Sequence, residues 1–311
     1  MATQRELTVG LAGRVFTAAE AEAAGLSAAM LRGSRIQRLG LGIYRYSDGD
    51  LPLDQMLWAA LKASPGSAVS HTSSLALRGL ELRPPLPVHL ASNRRQQVRR
   101  SEVVVHRHRG ALEPEVIRGL PVLGADRTFV DCGSILGLAA LVAAGDWLIV
   151  HRYTTTEKLR SFAERSHLDG VQRARVAVDL VRDGAESVRE SLSRFHLVSH
   201  GLPEPDVNLR IMGAAGEFLG RGDLPFPRWK VLAEYDGWYH ERSGAQRQHD
   251  LLRRERLEAA GWIVIVLTSA DTPRRTAWRV YNALTSRGYT GPTPRLDPRF
   301  ARWMSTKSAR R

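Results

Sequence analysis

The chain of 311 residues carries a formal net charge of +13 and a single cysteine, Cys132. One cysteine excludes an internal disulfide and a cysteine-based zinc site. No apolar run reaches the roughly 18 to 20 residues of a membrane span, and the N-terminus lacks the pattern of a signal peptide. The length predicts two or three domains. We therefore expect a cytoplasmic protein without a membrane partner, whose basic charge suits a polyanion such as DNA.

The basic charge has a second explanation. Only four of the 45 Lys and Arg residues are Lys, and such an arginine bias also fits a GC-rich genome. The placement of the charge along the chain therefore has to decide between the two.

Residues 1–52 predict a winged helix-turn-helix. A capping box of Thr17 and Glu20 begins a short helix, a second short helix follows over residues 27–33, and residues 36–46 predict a β-hairpin, the wing. The second helix would enter a major groove while nearby arginines hold phosphates. The arginines predicted to bind nucleic acid here are Arg32, Arg35 and Arg38. The alternative is a small protein-interaction module with a solvated basic surface.

Residues 53–180 predict an α/β middle domain. Its predicted elements are helices within 54–63, 70–80 and 126–150 and strands at 88–90 and 103–105. A turn with four arginines joins the two strands, and Arg94 and Arg95 in it are predicted DNA contacts. His106 and His108 alternate along a strand and so point to one face. They are candidates for a metal ion or, as surface groups, for a phosphate.

Residues 181–290 predict a mixed sheet flanked by helices, and residues 291–311 a basic tail. Ser187 and Glu190 form a second capping box at the start of a helix. The elements predicted after it are strands at 207–212, 217–224 and 230–236, a helix at 246–260, a strand at 263–267 and a helix at 272–284. This order, α-β-β-β-α-β-α, fits a mixed sheet with helices packed on its faces. The whole chain is thus predicted as an α/β multidomain protein.

Carboxylates gather at the end of the strand predicted at 230–236. Because side chains alternate along a strand, Glu234 and Asp236 project from one face, and adjacent carboxylates repel unless a cation or a proton lies between them. If strand 217–224 pairs with this strand, Asp223 approaches Glu234. Asp223 and Glu234 are the predicted ligands of Mg²⁺ or Mn²⁺. The alternative is a solvent-facing strand with edge charges.

Further residues would complete a site that cleaves phosphodiesters. Glu190 can supply another oxygen ligand, although its place in a capping box is also structural. His240 suits a general acid or base near neutral pH. Arg253 and Arg254 can hold a flanking phosphate, or they are plain surface charge. A cation bound there would lower the pKa of a water, orient it and neutralise charge in the transition state.

An ordered series of short motifs runs through residues 187–262. They are S-x-x-E at 187–190, G-L-P-x-P at 201–205, G-x-x-D at 220–223, E-Y-D-G-x-x-H at 234–240, D-x-x-R at 250–253 and L-x-x-x-G-W at 257–262. The series resembles a bacterial domain family related to very-short-patch-repair endonucleases, within the PD-(D/E)xK restriction-endonuclease-like superfamily. The site residues implied by this resemblance are Asp223 and Glu234 as metal ligands, Glu190 as an accessory acid, and Asp236 and His240.

The chain departs from the pattern at two positions, one of which is Val266, where an arginine is expected in many relatives. The superfamily lysine is absent, and Asp236 stands in its place. Lys230 lies four strand residues from Glu234, about 13 Å away, so it is a poor substitute.

The front of the chain has a resemblance of its own. The motif R-L-G-x-G-x-Y at 38–44, followed by A-V-S-H-T-S-S-L-A-L-R-G-L at 68–80, resembles antitoxins of type IV abortive-infection systems. It implies a winged helix that binds promoter DNA and a cognate toxin or phage-defence partner.

The combined prediction is a metal-dependent DNA endonuclease or nickase. The alternative is an antitoxin-type DNA-binding transcriptional regulator whose nuclease-like domain is inactive, and a third is an interaction module that binds no nucleic acid.

Overall fold

The structure, a computed structural model, contains two compact units, Met1–Thr128 and Phe129–Arg311. The residues that it describes are 11, 14–40, 42–46, 52–84, 86–94, 102–236 and 244–305. Both units combine helices with mixed or antiparallel sheets, so the α/β class predicted from the sequence is confirmed. Within the described ranges, no helix is long and apolar enough to cross a membrane.

The first unit begins with a small three-stranded sheet and one helix. Their bounds are Phe16–Thr17 (β1), Ala18–Ala23 (α1), Ile36–Gly40 (β2) and Ile43–Tyr46 (β3). The strands are antiparallel in the order β1-β3-β2. The predicted capping box is confirmed, since Glu20 N–H donates to Thr17 Oγ1 at 3.1 Å and Thr17 N–H donates to Glu20 Oε2 at 2.6 Å. Two orphan amides at the start of α1 are thereby satisfied.

The second short helix predicted for residues 27–33 is confirmed only in part. Only Met30–Arg32 form a helix, a single 3-10 turn, and Gly33 is already extended. Ser27 Oγ accepts the N–H of Met30 at 3.3 Å, so the predicted cap exists, but Gly33 stops the turn after three residues. A recognition helix that enters a major groove needs more than one 3-10 turn. The described residues between α1 and β2 contain no such helix.

The rest of the first unit is built on a five-stranded sheet in the order β6-β5-β4-β8-β7. Its elements are Leu53–Ala63 (α2), Ala68–Val69 (β4), His71–Leu77 (α3), Val88–Ser92 (β5), Val103–Arg107 (β6), Glu115–Ile117 (β7) and Leu120–Val122 (β8). Strands β5 and β6 are parallel. Leu57 of α2 packs with Leu90 of β5 in the core of this unit, and α3 covers β5 as well.

The second unit begins with helices. A helix over Ala125–Cys132 (α4) spans the boundary between the units, and the helices that follow are Leu138–Val150 (α5), Thr156–Arg165 (α6), Val171–Val178 (α7) and Val188–Ser199 (α8). Arg194 of α8, 1% exposed, donates to Asp146 Oδ2 of α5 at 2.9 Å and to the carbonyl of Leu180 at 2.8 Å. This buried pairing joins residues 129–180 to the C-terminal part, whereas the sequence pattern had grouped them with residues 53–128.

The strands of the second unit form a hairpin and a three-stranded sheet. Its remaining elements are Leu209–Met212 (β9), Phe218–Gly222 (β10), Leu224–Phe226 (β11), Val231–Tyr235 (β12), Gly244–Ala259 (α9), Ile263–Leu267 (β13) and Pro273–Ser286 (α10). The single strand predicted at 217–224 is wrong, because Asp223 separates β10, which pairs with β9, from β11, which pairs with β12. Strand β13 runs parallel to β12, so the sheet is mixed as predicted.

Strand β12 lies between two apolar clusters. Val231 and Ala233 face the cluster that includes residues of α8 and α10. Leu232 faces the other side, where it packs with Leu257 and Trp262. The alternation predicted from the sequence therefore holds along β12, and it assigns Glu234 to the Leu232 face, beside α9.

The segment predicted as a basic tail is part of the second unit as far as residue 305. A short helix covers Pro298–Ala301 (α11). The N–H of Asp297 donates to the Ser199 carbonyl at 2.8 Å, and Leu138 N–H donates to the Trp303 carbonyl at 2.9 Å. Within the predicted basic tail, residues 297–303 thus contact both α8 and α5.

Candidate functional site

Acidic and basic side chains meet in one cavity of the second unit, at the end of β12. The cavity has a volume of about 180 Å³, enough for several waters. Its lining residues are Asp223, Glu234, Tyr235, Asp236, Asp250, Arg253, Arg254 and Val266. Four carboxylates and two guanidinium groups leave a formal excess of negative charge. A cation would compensate this excess.

Asp223 reaches the cavity because the chain switches sheets there. Leu224 pairs with Ala233 across β11 and β12, so the next residue outward, Asp223, stands opposite Glu234. Residues directly opposite each other in an antiparallel pair share a face. The backbone N–H of Tyr235 donates to Asp223 Oδ2 at 3.0 Å, which holds the carboxylate at the end of β12. The structure thus brings the two predicted metal ligands together.

The surroundings of Asp223 disfavour the ionised form of its carboxyl group. Burial raises the pKa of the Asp223 carboxyl, the Tyr235 N–H lowers it, and the negative charges of Glu190 and Glu234 raise it further. Arg253 lowers it, and the balance puts the pKa at about 6 instead of 3.8. A carboxyl with a raised pKa among other carboxylates is typical of sites that bind a cation or transfer protons.

Glu234 is paired with Arg253 from α9. The guanidinium makes two hydrogen bonds to the carboxylate, Nη1 to Oε2 at 3.1 Å and Nη2 to Oε1. Nη2 also donates to the carbonyl of Arg221 at 2.5 Å. Burial lowers the pKa of Arg253, but the bonds and charge of Glu234 outweigh it and raise that pKa. Arg253, predicted as a phosphate contact, thus lies inside the site as the counter-ion of Glu234.

Glycine at position 220 leaves room for the Arg253 side chain. A Cβ atom on Gly220 would lie 2.9 Å from Nε of Arg253, which is closer than such atoms approach. The bare backbone of β10 therefore lets the Arg253 side chain pass between α9 and the hairpin to reach Glu234.

Glu190 lies behind the cavity at the start of α8. Its N–H donates to Ser187 Oγ at 3.1 Å, as predicted. Its Oε2 accepts the Glu186 N–H at 3.0 Å and Asn208 Nδ2 at 2.8 Å. Its carboxylate is thus bonded to its own helix start, and it acts on the site through its charge, which raises the Asp223 pKa.

The remaining predicted site residues have mixed outcomes. Asp236 lines the cavity, and its N–H donates to the Leu267 carbonyl at 2.9 Å. Arg254 lines it too, whereas His240 lies outside the described residues. Lys230 points elsewhere, since its Nζ donates to the Ala260 carbonyl at 3.0 Å.

Two side chains of this region were not among the predicted residues. Asp250 lines the cavity from α9. Arg189 of α8 places its guanidinium carbon 5.6 Å from the centre of the Tyr235 ring. Asp250 occurs in the D-x-x-R motif, which could have identified it, but no sequence signal links Arg189 with a strand some 46 residues away.

The arginines predicted to bind nucleic acid in the first unit lie at its surface. Arg32, Arg35 and Arg38 are exposed, and so is Arg94. Arg95 lies outside the described residues. Exposure leaves these groups accessible to a polyanion, although no contact in the structure specifies one.

His106 belongs to a group of three histidines that the sequence did not predict, in which His71 is buried and His89 and His106 are half-buried. Its ring stacks on His71 with centroids 3.6 Å apart, and its Nε2 lies 2.9 Å from His89 Nδ1. We call His71, His89 and His106 the histidine stack. His108 is directed elsewhere, with its Nδ1 2.7 Å from Arg127 Nη2.

The histidine stack is held in its neutral form. Burial lowers the pKa of all three imidazoles. Neighbouring histidines lower it further for His71 and His106, and the charge of Arg83 does so for His89. The pKa values of His89 and His106 fall to about 4 and about 3. Parallel rings in contact do not converge on one ion, and the described part of the chain holds no cluster of three or more His, Cys, Asp or Glu arranged for a metal.

The chain is similar to two proteins that are themselves described as uncharacterized. The chain is 25% identical over 251 residues to the uncharacterized protein MT2308 of Mycobacterium tuberculosis strain CDC 1551 / Oshkosh. The same figures hold for the uncharacterized protein Rv2248 of strain ATCC 25618 / H37Rv. The similarity covers 78% of this chain and 90% of each relative. No protein-family model matches the chain.

The extent of this similarity bears on the domain organisation. A stretch that covers 78% of the chain is longer than either compact unit. The relatives therefore share parts of both units with this chain.

Proposed function

We propose that the chain is a cytoplasmic, Mg²⁺- or Mn²⁺-dependent DNA endonuclease or nickase that hydrolyses phosphodiester bonds at the cavity of the second unit. The observation that carries this proposal is the meeting of Asp223 and Glu234 at one cavity, in a chain with a net charge of +13. A restriction-endonuclease-like architecture for the second unit and a DNA-binding role for the first belong to the same proposal.

The donor set suits a hard divalent cation. Mg²⁺ is commonly bound through one or two carboxylates and keeps several waters, so Asp223 and Glu234 with solvent are a sufficient set. The cavity offers oxygen donors and no sulfur or imidazole among its described lining residues. When bound, the cation would activate a water and neutralise charge on the phosphate.

The protein groups would prepare the site in two ways. Arg253 balances Glu234 in this structure, and it would turn to a phosphate oxygen when a cation takes over the carboxylate. Asp223, with a pKa of about 6, is mostly ionised at neutral pH, but its ionised form is destabilised by its surroundings. A cation nearby would stabilise that ionised form.

Plasmid cleavage tests the proposal directly. Supercoiled plasmid is incubated with Mg²⁺ or Mn²⁺ and the wild type, Asp223→Asn, Glu234→Gln or the control Glu258→Gln, which changes an exposed carboxylate of the same helix as Arg253. We expect nicked or linear product from the wild type and the control, and a loss of at least about 100-fold for the two site variants. Cleavage that survives both site variants would refute the assignment.

An antitoxin-type DNA-binding regulator is the second candidate. The observation that favours it is the double hydrogen bond between Arg253 and Glu234, since Arg253 supplies the positive charge that a cation would bring. The lack of the superfamily lysine, with Asp236 at that place, points the same way. Salt-dependent DNA binding without cleavage by any form would support the regulator, and a cognate toxin would then be its partner.

A further inference from the structure

We propose that the first unit contains a binding site for a small organic carboxylate with an apolar body, in a cavity between the β2–β3 hairpin and α2. The cavity has a volume of about 380 Å³. This lies within the range of roughly 300 to 1,000 Å³ that small-molecule sites occupy. Its described lining residues all belong to the first unit, so the site does not depend on the proposed endonuclease.

Apolar side chains form the floor of the cavity. Met56, Ala59 and Ala63 line it from α2, and their spacing places them on one face of that helix. Val88 and Val103, which pair across the parallel strands β5 and β6, complete the floor. The alanines carry only a methyl group each, so α2 leaves space that longer side chains would fill. The apolar body of a ligand would leave water there, which favours binding.

Arg45 supplies a positive charge from the hairpin side of the cavity. Ile43 and Arg45 alternate along β3 and therefore share a face, and both line the cavity. Gln37 stands opposite Arg45 in β2, and its Oε1 accepts Arg45 Nε–H at 2.7 Å. Among the residues that the structure describes, no carboxylate lies within ion-pair distance of Arg45. The bond to Gln37 thus orients the guanidinium, and its Nη groups can donate to an anion.

The charges around the cavity favour an anion over a cation or a neutral molecule. Arg38 lines the cavity as well, and Glu102 is the acidic residue among its described lining residues. Two arginines and one glutamate leave an excess of one positive charge. A guanidinium binds a carboxylate through two parallel hydrogen bonds. The carboxylate would therefore lie at Arg45, and the apolar body would lie against α2.

The chain provides two matched controls. Arg35 is exposed and directly precedes β2, and Ala23 is exposed at the end of α1. Neither belongs to the described lining of the cavity. Arg45→Gln and Arg35→Gln remove the same charge at two places. Ala59→Phe and Ala23→Phe add the same ring, inside the cavity and outside it.

The experiment measures binding of an amphipathic anion to the full-length protein. Anilinonaphthalene sulfonate, which fluoresces when it leaves water, is the probe, and octanoate and the uncharged octanol compete with it. Plain apolar surface favours octanol, because an ionised group resists the loss of its water. A preference for octanoate therefore identifies a cation at the site.

We expect octanoate to displace the probe from the wild type at about 10-fold lower concentration than octanol, because hydrogen bonds to charged groups are the stronger ones. Arg45→Gln should remove this preference. Ala59→Phe should weaken probe binding by at least about 10-fold, since the ring occupies the cavity. Arg35→Gln and Ala23→Phe should behave as the wild type, and circular dichroism checks that each variant folds.

Four results would overturn the site. They are a wild type that does not bind the probe, displacement by octanol at the same or a lower concentration than octanoate, a preference for octanoate that survives in Arg45→Gln, and an equal loss of probe binding in Ala59→Phe and Ala23→Phe. If Ala59→Phe does not fold, the comparison of Arg45→Gln with Arg35→Gln decides alone, and equal behaviour of these two variants would refute the inference.

Discussion

Replacement of Asp223 by Asn should stabilise the second unit while it removes a proposed metal ligand. The carboxyl titrates at 3.8 when free and at about 6 in the folded chain. Because the pKa is higher in the folded chain than in the unfolded chain, ionisation of this carboxyl destabilises the fold. This destabilisation is absent well below pH 3.8, grows as the pH rises, and is complete above pH 6. At about 1.4 kcal/mol per unit of pKa the ionised group costs about 3 kcal/mol, and partial exposure reduces the expected effect to about 1 to 2 kcal/mol.

The Asn side chain preserves the local contact. Its amide oxygen can still accept the Tyr235 N–H that Asp223 Oδ2 accepts at 3.0 Å, so the substitution removes charge and little else. We therefore expect a free energy of unfolding about 1 to 2 kcal/mol above the wild type at pH 8, and roughly half that difference at pH 5.

Urea unfolding followed by tryptophan fluorescence suits the measurement, because every tryptophan except Trp58 lies in the second unit. The same titrations with Mg²⁺ should stabilise the wild type by about 1.4 kcal/mol when the ion is at ten times its Kd, and should leave Asp223→Asn unchanged. Glu258→Gln serves as the control and should follow the wild type throughout.

Two results would refute the reasoning. If Asp223→Asn is no more stable than the wild type at pH 8, the carboxylate is not held in an unfavourable field. If Mg²⁺ stabilises the variant and the wild type equally, the ion does not bind at Asp223.

Three further predictions concern ionisable groups that the fold buries fully or in part. Arg253→Met should free Glu234 and tighten Mg²⁺ binding, measured by calorimetry, while cleavage falls; unchanged affinity would show that Arg253 does not compete with the ion. Asp146→Ala should lower the free energy of unfolding by about 3 kcal/mol, because it leaves Arg194 buried without this partner; a loss below about 1 kcal/mol in urea would contradict that. The histidine stack has lowered pKa values, so its stabilisation is complete above about pH 6.5 and should be lost as the pH falls towards 4. His106→Phe should weaken that pH dependence in urea titrations followed by circular dichroism, and an unchanged dependence would contradict the assignment.

Local features of the chain were predictable from the sequence because neighbouring residues decide them. The Thr17 and Glu20 capping box forms as predicted, since both partners lie within one turn. The alternation along β12 holds, because the strand period alone assigns Leu232 and Glu234 to one face. A strand boundary failed where a single residue interrupts the pattern, as Asp223 does between β10 and β11.

Composition and periodicity thus determined the α/β class, the sides of β12 and the concentration of acid near Asp223. Tertiary structure alone decided which groups meet. Arg253 pairs with Glu234 across 19 residues and Arg189 stacks on Tyr235 across 46, and His71 reaches His106 from another element. Contacts of this kind depend on how sheets and helices pack, and side-chain packing in three dimensions leaves no period in the order of the residues.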